Sequence, residues 1–183
     1  MVAPQLSRNA PVLSQNIPLK SLLIAAGALA LGAAAPAHAQ VTKIRSNPKA
    51  LILDGAKVAA GTEIFYLSGQ LASPIDPTKT MATATTIEDY GDTKTQAISA
   101  LGKIKKILAA QGYQMSDLVK LTLFIAPDPK LGKLDFAGAN AGFKEFFDTP
   151  DNPTTVARSA FQVAALAAPQ FLIEIEAIAA KKP

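Results

Sequence analysis

Phe171-Leu172-Ile173-Glu174-Ile175-Glu176-Ala177-Ile178-Ala179 is the stretch on which the reading of the fold turns. Successive side chains of a strand point to opposite faces, so Phe171, Ile173, Ile175 and Ala177 share one face and Leu172, Glu174, Glu176 and Ile178 the other. The first face is wholly apolar and belongs on a core. The second places two carboxylates on an otherwise apolar strand. Just upstream, about Thr154–Val163 reads as a further strand, with Thr154, Val156, Arg158, Ala160 and Gln162 on one face, and a short loop holding Pro169 joins the two. Taken as a hairpin, one register sets Arg158 opposite Glu176 and Ala160 opposite Glu174, with the arginine and both glutamates on one side. A slip of one residue moves one set to the other side. Two chemistries fit this pattern. One is a plain cross-strand ion pair. The other is a guanidinium clamp that holds a carboxylate through two parallel N–H···O bonds, with a glutamate beside it holding a water as general base.

Outward from this pair, period and punctuation assign the other elements. Leu51-Ile52-Leu53 meets the turn signal Asp54-Gly55, and Glu63 to Ser68 reads as a strand that stops at Gly69. Ser73-Pro74 to Thr86 is a loop rich in Pro and Thr. Ala97, Leu101, Ile104 and Leu108 recur at helical spacing, with Asp92 or Thr93 as N-cap and Gly112 as the stop. Leu118 to Ile125 is a strand closed by Pro127-Asp128-Pro129. A second helix from about Leu134 to Phe147 carries Phe136, Phe143 and Phe147 on one face. The order β-β-α-β-α-β-β predicts an α+β fold with both helices on one face of a mixed sheet. One domain has no spare layer for the opposite face, so a partner subunit is its expected cover.

The N-terminal segment reads as separate from the fold. Lys20 precedes the uncharged apolar run Ser21–Leu31, and Ala37-His38-Ala39 fits the small-residue cleavage pattern of a secretory signal. The run is short for a permanent membrane span. Residues 1–39 are thus expected to be a signal peptide cleaved after Ala39, with a periplasmic or secreted product and no stable membrane anchor. Residues 40–49 are expected as an extended polar arm and 50–183 as the domain.

Export narrows the chemistry. The only histidine, His38, leaves with the signal, and cysteine is absent from all 183 residues. Ser-His-Asp and Cys-His machinery both need an imidazole, and His/Cys zinc sites need those ligands, so these classes are excluded from the mature chain. No disulfide framework is possible. Of the 18 basic residues only Arg8 and Lys20 precede residue 40, leaving 16 against 14 acidic ones. The only lysine cluster, Lys103, Lys105 and Lys106, sits in a helical pattern and reads as a solvated face. Nothing marks a nucleic-acid partner.

Ser68-Gly69-Gln70, Ala157-Arg158-Ser159 and Ile173-Glu174-Ile175-Glu176-Ala177-Ile178-Ala179 resemble, in order and separation, the signature segments of the RidA/YjgF/UK114 family. The helix from Gln96-Ala97 to Gly112, the strand from Asp117 to Phe124 and Phe136-Ala137-Gly138-Ala139-Asn140 match as well, so the resemblance spans about residues 50 to 180. It implies a chorismate-mutase-like (YjgF-like) fold and a homotrimer with ligand sites in the clefts between subunits. The implied activity is hydrolysis of 2-imino or enamino acids to 2-oxo acids and ammonia, with no metal or organic cofactor. The implied roles are Arg158 as binder of the substrate carboxylate and Glu174 as the residue that positions water. Asn140, Gly69 and the backbone at Ala160 are implied as parts of the substrate pocket. Two departures stand out: Leu53-Asp54-Gly55-Ala56 lies where the family carries Gly-Pro-Tyr, with Tyr66 the candidate to stand in, and Ala160 replaces a usual cysteine. The alternatives are a non-catalytic binder of small carboxylates or other metabolites, or a chaperone-like protein. Ribonuclease activity, claimed for relatives, finds neither a histidine pair nor a basic groove.

Overall fold

The computed structural model describes residues 40–181, and the signal read in residues 1–39 lies outside the described residues. The first two strands, β1 (Val41–Ile44) and β2 (Gly55–Val58), form an antiparallel ribbon with Ile44 opposite Gly55. The expected arm is therefore extended but paired. Leu51–Leu53, expected as a strand, is an irregular turn instead. Its apolar side chains made it look like a strand. They are satisfied by the core instead, where Leu53 is buried and Leu51 and Ile52 pack against the main cluster. The Lys43 ammonium ties the ribbon down through the carbonyls of Ser116 (2.8 Å) and Thr155 (3.2 Å).

The main sheet has four strands: β3 (Glu63–Leu71), β4 (Leu118–Ile125), β7 (Ala157–Gln162) and β8 (Ile173–Lys181). A two-residue pair, β5 (Pro127–Asp128) with β6 (Lys133–Leu134), lies between β4 and the second helix. The spatial order is β3-β8-β4-β7, with β8 antiparallel to both neighbours and β7 parallel to β4. The sheet is mixed, as its α+β reading requires.

The expected hairpin of the last two strands does not form, because β4 lies between them. The physical reason is the central place of β8. It bonds β3 on one edge and β4 on the other, and its inward residues Ile173, Ile175, Ala177 and Ala179 are all buried. Its alternation declares a buried inner face, but nothing in it says which strands flank its two edges. The short connection from β7 instead steps over the end of β4. It is held by a small satellite core in which Phe171, buried edge-on against Tyr90 at 4.9 Å, meets Ala72, Ala84, Leu166 and Ala168.

Helix α1 (Thr93–Ala110) and helix α2 (Phe136–Lys144) both pack on the face made by Leu67, Leu121, Leu123, Ile125 and the inward residues of β8. Asp92 caps α1 by accepting from the Thr95 amide at 2.8 Å, and the chain turns at Gly112 with φ 72°. The two helices approach closely at Gly142, where a Cβ would lie 2.7 Å from the Cβ of Ala97 and 2.9 Å from the Lys94 carbonyl. Helix α2 is shorter than its apolar pattern predicts. Phe147 is buried beyond its end, stacked on Phe143 at 4.3 Å, so the stripe of phenylalanines marks core rather than continued helix.

Gln96, fully buried on α1, fixes the entry to β8. Its amide nitrogen donates to the carbonyls of Gly91 and Gln170, each at 3.0 Å, and its oxygen accepts from the Leu172 amide at 2.9 Å. Replacing it with alanine strands three buried backbone groups, each worth about 1–3 kcal/mol. We expect Gln96→Ala to lower unfolding stability by about 3 kcal/mol in urea titrations.

Candidate active site

Arg158 projects from β7 toward the helices. Its backbone partner on β4 is Leu121, which in turn pairs with Ala177 of β8, and both are core residues. Residues paired across strands share a face, so Arg158 stands on the helix side of the sheet. Its Nη2 donates to Oδ1 of Asn140 on α2 at 2.7 Å. Its guanidinium carbon lies 4.6 Å from the ring centre of Phe143 and 5.7 Å from that of Phe136. Phe136, Asn140 and Phe143 recur at i, i+4 and i+7, so one helix face supplies both aromatic platforms and the acceptor. Nη1 is buried without a partner, and among the described residues no carboxylate lies within 4 Å of this arginine. Burial holds its pKa below the usual guanidinium range. The result is an oriented, desolvated cation with one buried donor unpaired. Ala160, two residues along β7, faces the same way and lines a trough with Leu131, Leu134 and Phe136.

Glu174 stands on the other side of the sheet. It pairs with Phe124 of β4, which pairs with Phe161 of β7, and the Phe124 and Phe161 rings meet edge-on at 5.1 Å on that outer face. The pairing of β3 with β8 shifts register between Leu67 and Gln70, and Gly69 sits in this irregularity. An alanine Cβ at Gly69 would lie 1.9 Å from Glu174 Oε1 and 2.8 Å from its carboxyl carbon. The carboxylate therefore rests on the bare backbone of Gly69, and it opens beside Glu176 into a hollow walled by Phe124, Val163 and Leu166. Gly69→Ala requires only that the flexible end of Glu174 move, because its backbone conformation is one that alanine adopts. We expect Gly69→Ala to displace the Glu174 carboxylate while thermal unfolding gives a melting temperature close to wild type.

The site residues expected from sequence thus fall into two groups. Arg158, Asn140 and Ala160 lie on the helix side, while Glu174 and Gly69 lie on the outer face. Arg158 and the two glutamates do not share a side, contrary to the hairpin expectation, because the intervening β4 sets their faces independently. Neither register of that hairpin describes the sheet. Tyr66, the candidate replacement tyrosine, is 70% exposed on the outer face among Ser68, Lys120, Thr122 and Glu176, so within one chain it lies with the glutamates and not with Arg158. Phe136 and Phe143, expected only to share a helix face, lie against the Arg158 guanidinium. Their spacing with Asn140 is the signal that could have placed them under the arginine. A separate cleft between the far ends of the helices, walled by Ala109, Met115 and Phe146, contains none of these residues.

Comparison with known proteins places this geometry in context. The family described as Endoribonuclease L-PSP matches residues 55–181. The 2-iminobutanoate/2-iminopropanoate deaminase of Salmonella typhimurium is 40% identical over 115 residues, covering 63% of this chain and 77% of the relative. The Escherichia coli (strain K12) protein of the same name is 37% identical over 119 residues, covering 65% and 80%. Among solved structures, E. coli TdcF with bound serine superposes with a TM-score of 0.51 at 30% identity, covering 77% of this chain and all of that one. The Rid-family protein YyfB of Yersinia pestis superposes at 0.58 with 22% identity, covering 78% and 100%, a likeness of fold. With its signature segments, the family match over residues 55–181 and its relatives in agreement, the chain belongs to the RidA/YjgF family.

Proposed function

We propose that this protein is a reactive-intermediate deaminase that hydrolyses 2-imino or enamino acids to 2-oxo acids and ammonia. The observation that carries the reading is the guanidinium of Arg158, held in place by Asn140 and two phenylalanine rings, with a buried Nη1 that is unpaired and, among the described residues, no carboxylate partner. A substrate carboxylate supplies the missing acceptor. The deaminase relatives and the serine in TdcF, itself a carboxylate, support the same ligand class. In the reaction, water adds to the C=N carbon as Glu174 takes its proton. The imine nitrogen is protonated, and the resulting carbinolamine expels ammonia as its hydroxyl becomes the new carbonyl. Atoms balance as imine plus water to oxo acid plus ammonia.

Since the sheet separates Arg158 from Glu174 in one chain, the reading requires a second copy. We place the reaction in a homotrimer of chorismate-mutase-like fold, with Arg158 on the edge strand of one subunit facing Glu174 of a neighbour. The outer face supports this through its exposed Ile64, Tyr66 and Phe161 beside Phe124 and Ile178, a patch of the kind that marks an interface. Export after cleavage at Ala39, to the periplasm or beyond, belongs to the same proposal. The second reading, a binder of small carboxylates without turnover, is favoured by one observation: a lone chain carries the clamp but not the base beside it.

The test couples the purified protein to an amino-acid oxidase that generates the imine in place, and measures 2-oxo acid release against the oxidase alone. Acceleration is expected. No acceleration, together with thermal stabilisation by a 2-oxo acid, assigns the protein to binding alone.

A further inference from the structure

Beside the Arg158 clamp runs a trough of about 550 Å³, within the size range of small-molecule sites. Its apolar walls are Leu131, Leu134, Phe136 and Ala160. Leu131 and Phe136 are 51% and 47% exposed, large apolar side chains that the core leaves uncovered. The walls are held firmly. The Leu134 amide donates to Oε1 of Gln162 on β7 at 2.9 Å, and Asp135 caps α2 by accepting from the Gly138 amide at 2.8 Å, which fixes Phe136 as the first residue of the helix.

We propose that this trough receives the substrate's side chain, and that it selects 2-imino acids with large apolar side chains over those with one or two carbons. The proposal rests on the deaminase reading above. Phe136 belongs to both parts, lying against the guanidinium and lining the trough, so a carboxylate clamped on Arg158 has its carbon chain directed along the same wall. Ala160 is two residues along β7 on the same face, a rise of about 7 Å. A methyl group leaves most of the trough empty, whereas an isobutyl or benzyl group occupies more of it and covers its apolar walls. The small side chain of Ala160 keeps the floor open at that depth. Lys133 and Asp135 also line the trough, with opposite charges, so the rim presents no net charge to a neutral side chain.

The test compares imines derived from alanine and from leucine, generated at equal rates, as a ratio of initial hydrolysis rates. Each buried methylene is worth on the order of fourfold, so the wild-type ratio is expected to favour the leucine-derived imine by about tenfold or more. Leu131→Asp and Ala160→Phe, one charging the wall and the other filling the floor, should each bring the ratio down toward one. A wild-type ratio near one, or a ratio that both variants leave unchanged, overturns the proposal. If the wild type hydrolyses neither imine, the deaminase reading fails on its own, and the trough is then read by equilibrium binding of the unreactive 2-oxo acids. Tighter binding of 4-methyl-2-oxopentanoate than of 2-oxopropanoate by about tenfold, lost in Leu131→Asp, sustains it. Equal affinities overturn it.

Discussion

Arg158→Met lowers deaminase kcat/KM by at least about a hundredfold while leaving the protein as stable as the wild type or slightly more so. The loss follows from the geometry of the clamp. The guanidinium is oriented before substrate arrives, by Asn140 at Nη2 and by the rings of Phe136 and Phe143, so little entropy is lost when a carboxylate binds. Charge-assisted bidentate bonds in such a setting are each worth about 1.5–3 kcal/mol, and two of them exceed the factor of a hundred. The gain or neutrality in stability follows from the same features. Arg158 is a partly buried cation with one donor unpaired and no carboxylate partner among the described residues. Removing it relieves desolvation, and methionine fills the space over the phenylalanine rings. Arg158→Lys should not rescue, because a single ammonium cannot hold Asn140 and a bidentate carboxylate together. Coupled imine hydrolysis and thermal unfolding read the two effects separately. A variant that loses activity and stability in parallel would show that Arg158 is part of the fold's framework and not a site held open for a ligand.

This opposition between function and stability also explains which parts of the molecule were legible in the sequence. Elements with one buried face declare themselves by period. The spacing of Ala97, Leu101, Ile104 and Leu108 marks α1, and the alternation from Leu118 to Ile125 marks β4, with boundaries within a residue or two of those observed. Which strand lies beside which is a different kind of information. The central β8 is apolar on its inner face and uses both edges, so nothing in residues 171–179 distinguishes β7 from β4 as its neighbour. The most economical local reading, a hairpin across a short loop, was therefore wrong, and with it the placing of Arg158 beside the glutamates. Leu51–Leu53 failed for a related reason: three apolar residues before Asp54-Gly55 fit a strand end, but packing against the core satisfies their side chains without strand pairing. The identities of Arg158, Asn140 and Glu174 were readable from the signature segments. Their division between two faces was not, because it depends on pairings of β7 and β8 with β4, a strand some forty residues before the first of them.

That division makes a mixing experiment decisive. Arg158→Ala and Glu174→Ala should each be nearly inactive as pure proteins. If every site takes its arginine from one subunit and its glutamate from another, subunits mixed equally and reassembled at random contain some sites with both groups intact. Each site has an even chance of a sound Arg158 and an independent even chance of a sound Glu174, so activity should return to about a quarter of wild type in a closed ring of such heterologous contacts. A site built within one chain predicts no recovery at any mixing ratio, since every chain carries one defect. Native mass spectrometry of the mixture shows whether mixed oligomers have formed. Mixed trimers without recovered activity would sink the shared site, and a protein that sediments as a monomer would sink it before mixing. The arrangement of the sheet favours recovery: β7 is an edge strand, so Arg158 lies at the rim where a neighbour covering the outer face can reach, and Glu174 lies on that outer face over Gly69. A guanidinium and a carboxylate placed in one cleft of one chain would neutralise each other as an ion pair. Held on opposite faces of the sheet, they can meet only between two copies of the chain, and recovered activity in the mixture is the result that would show it.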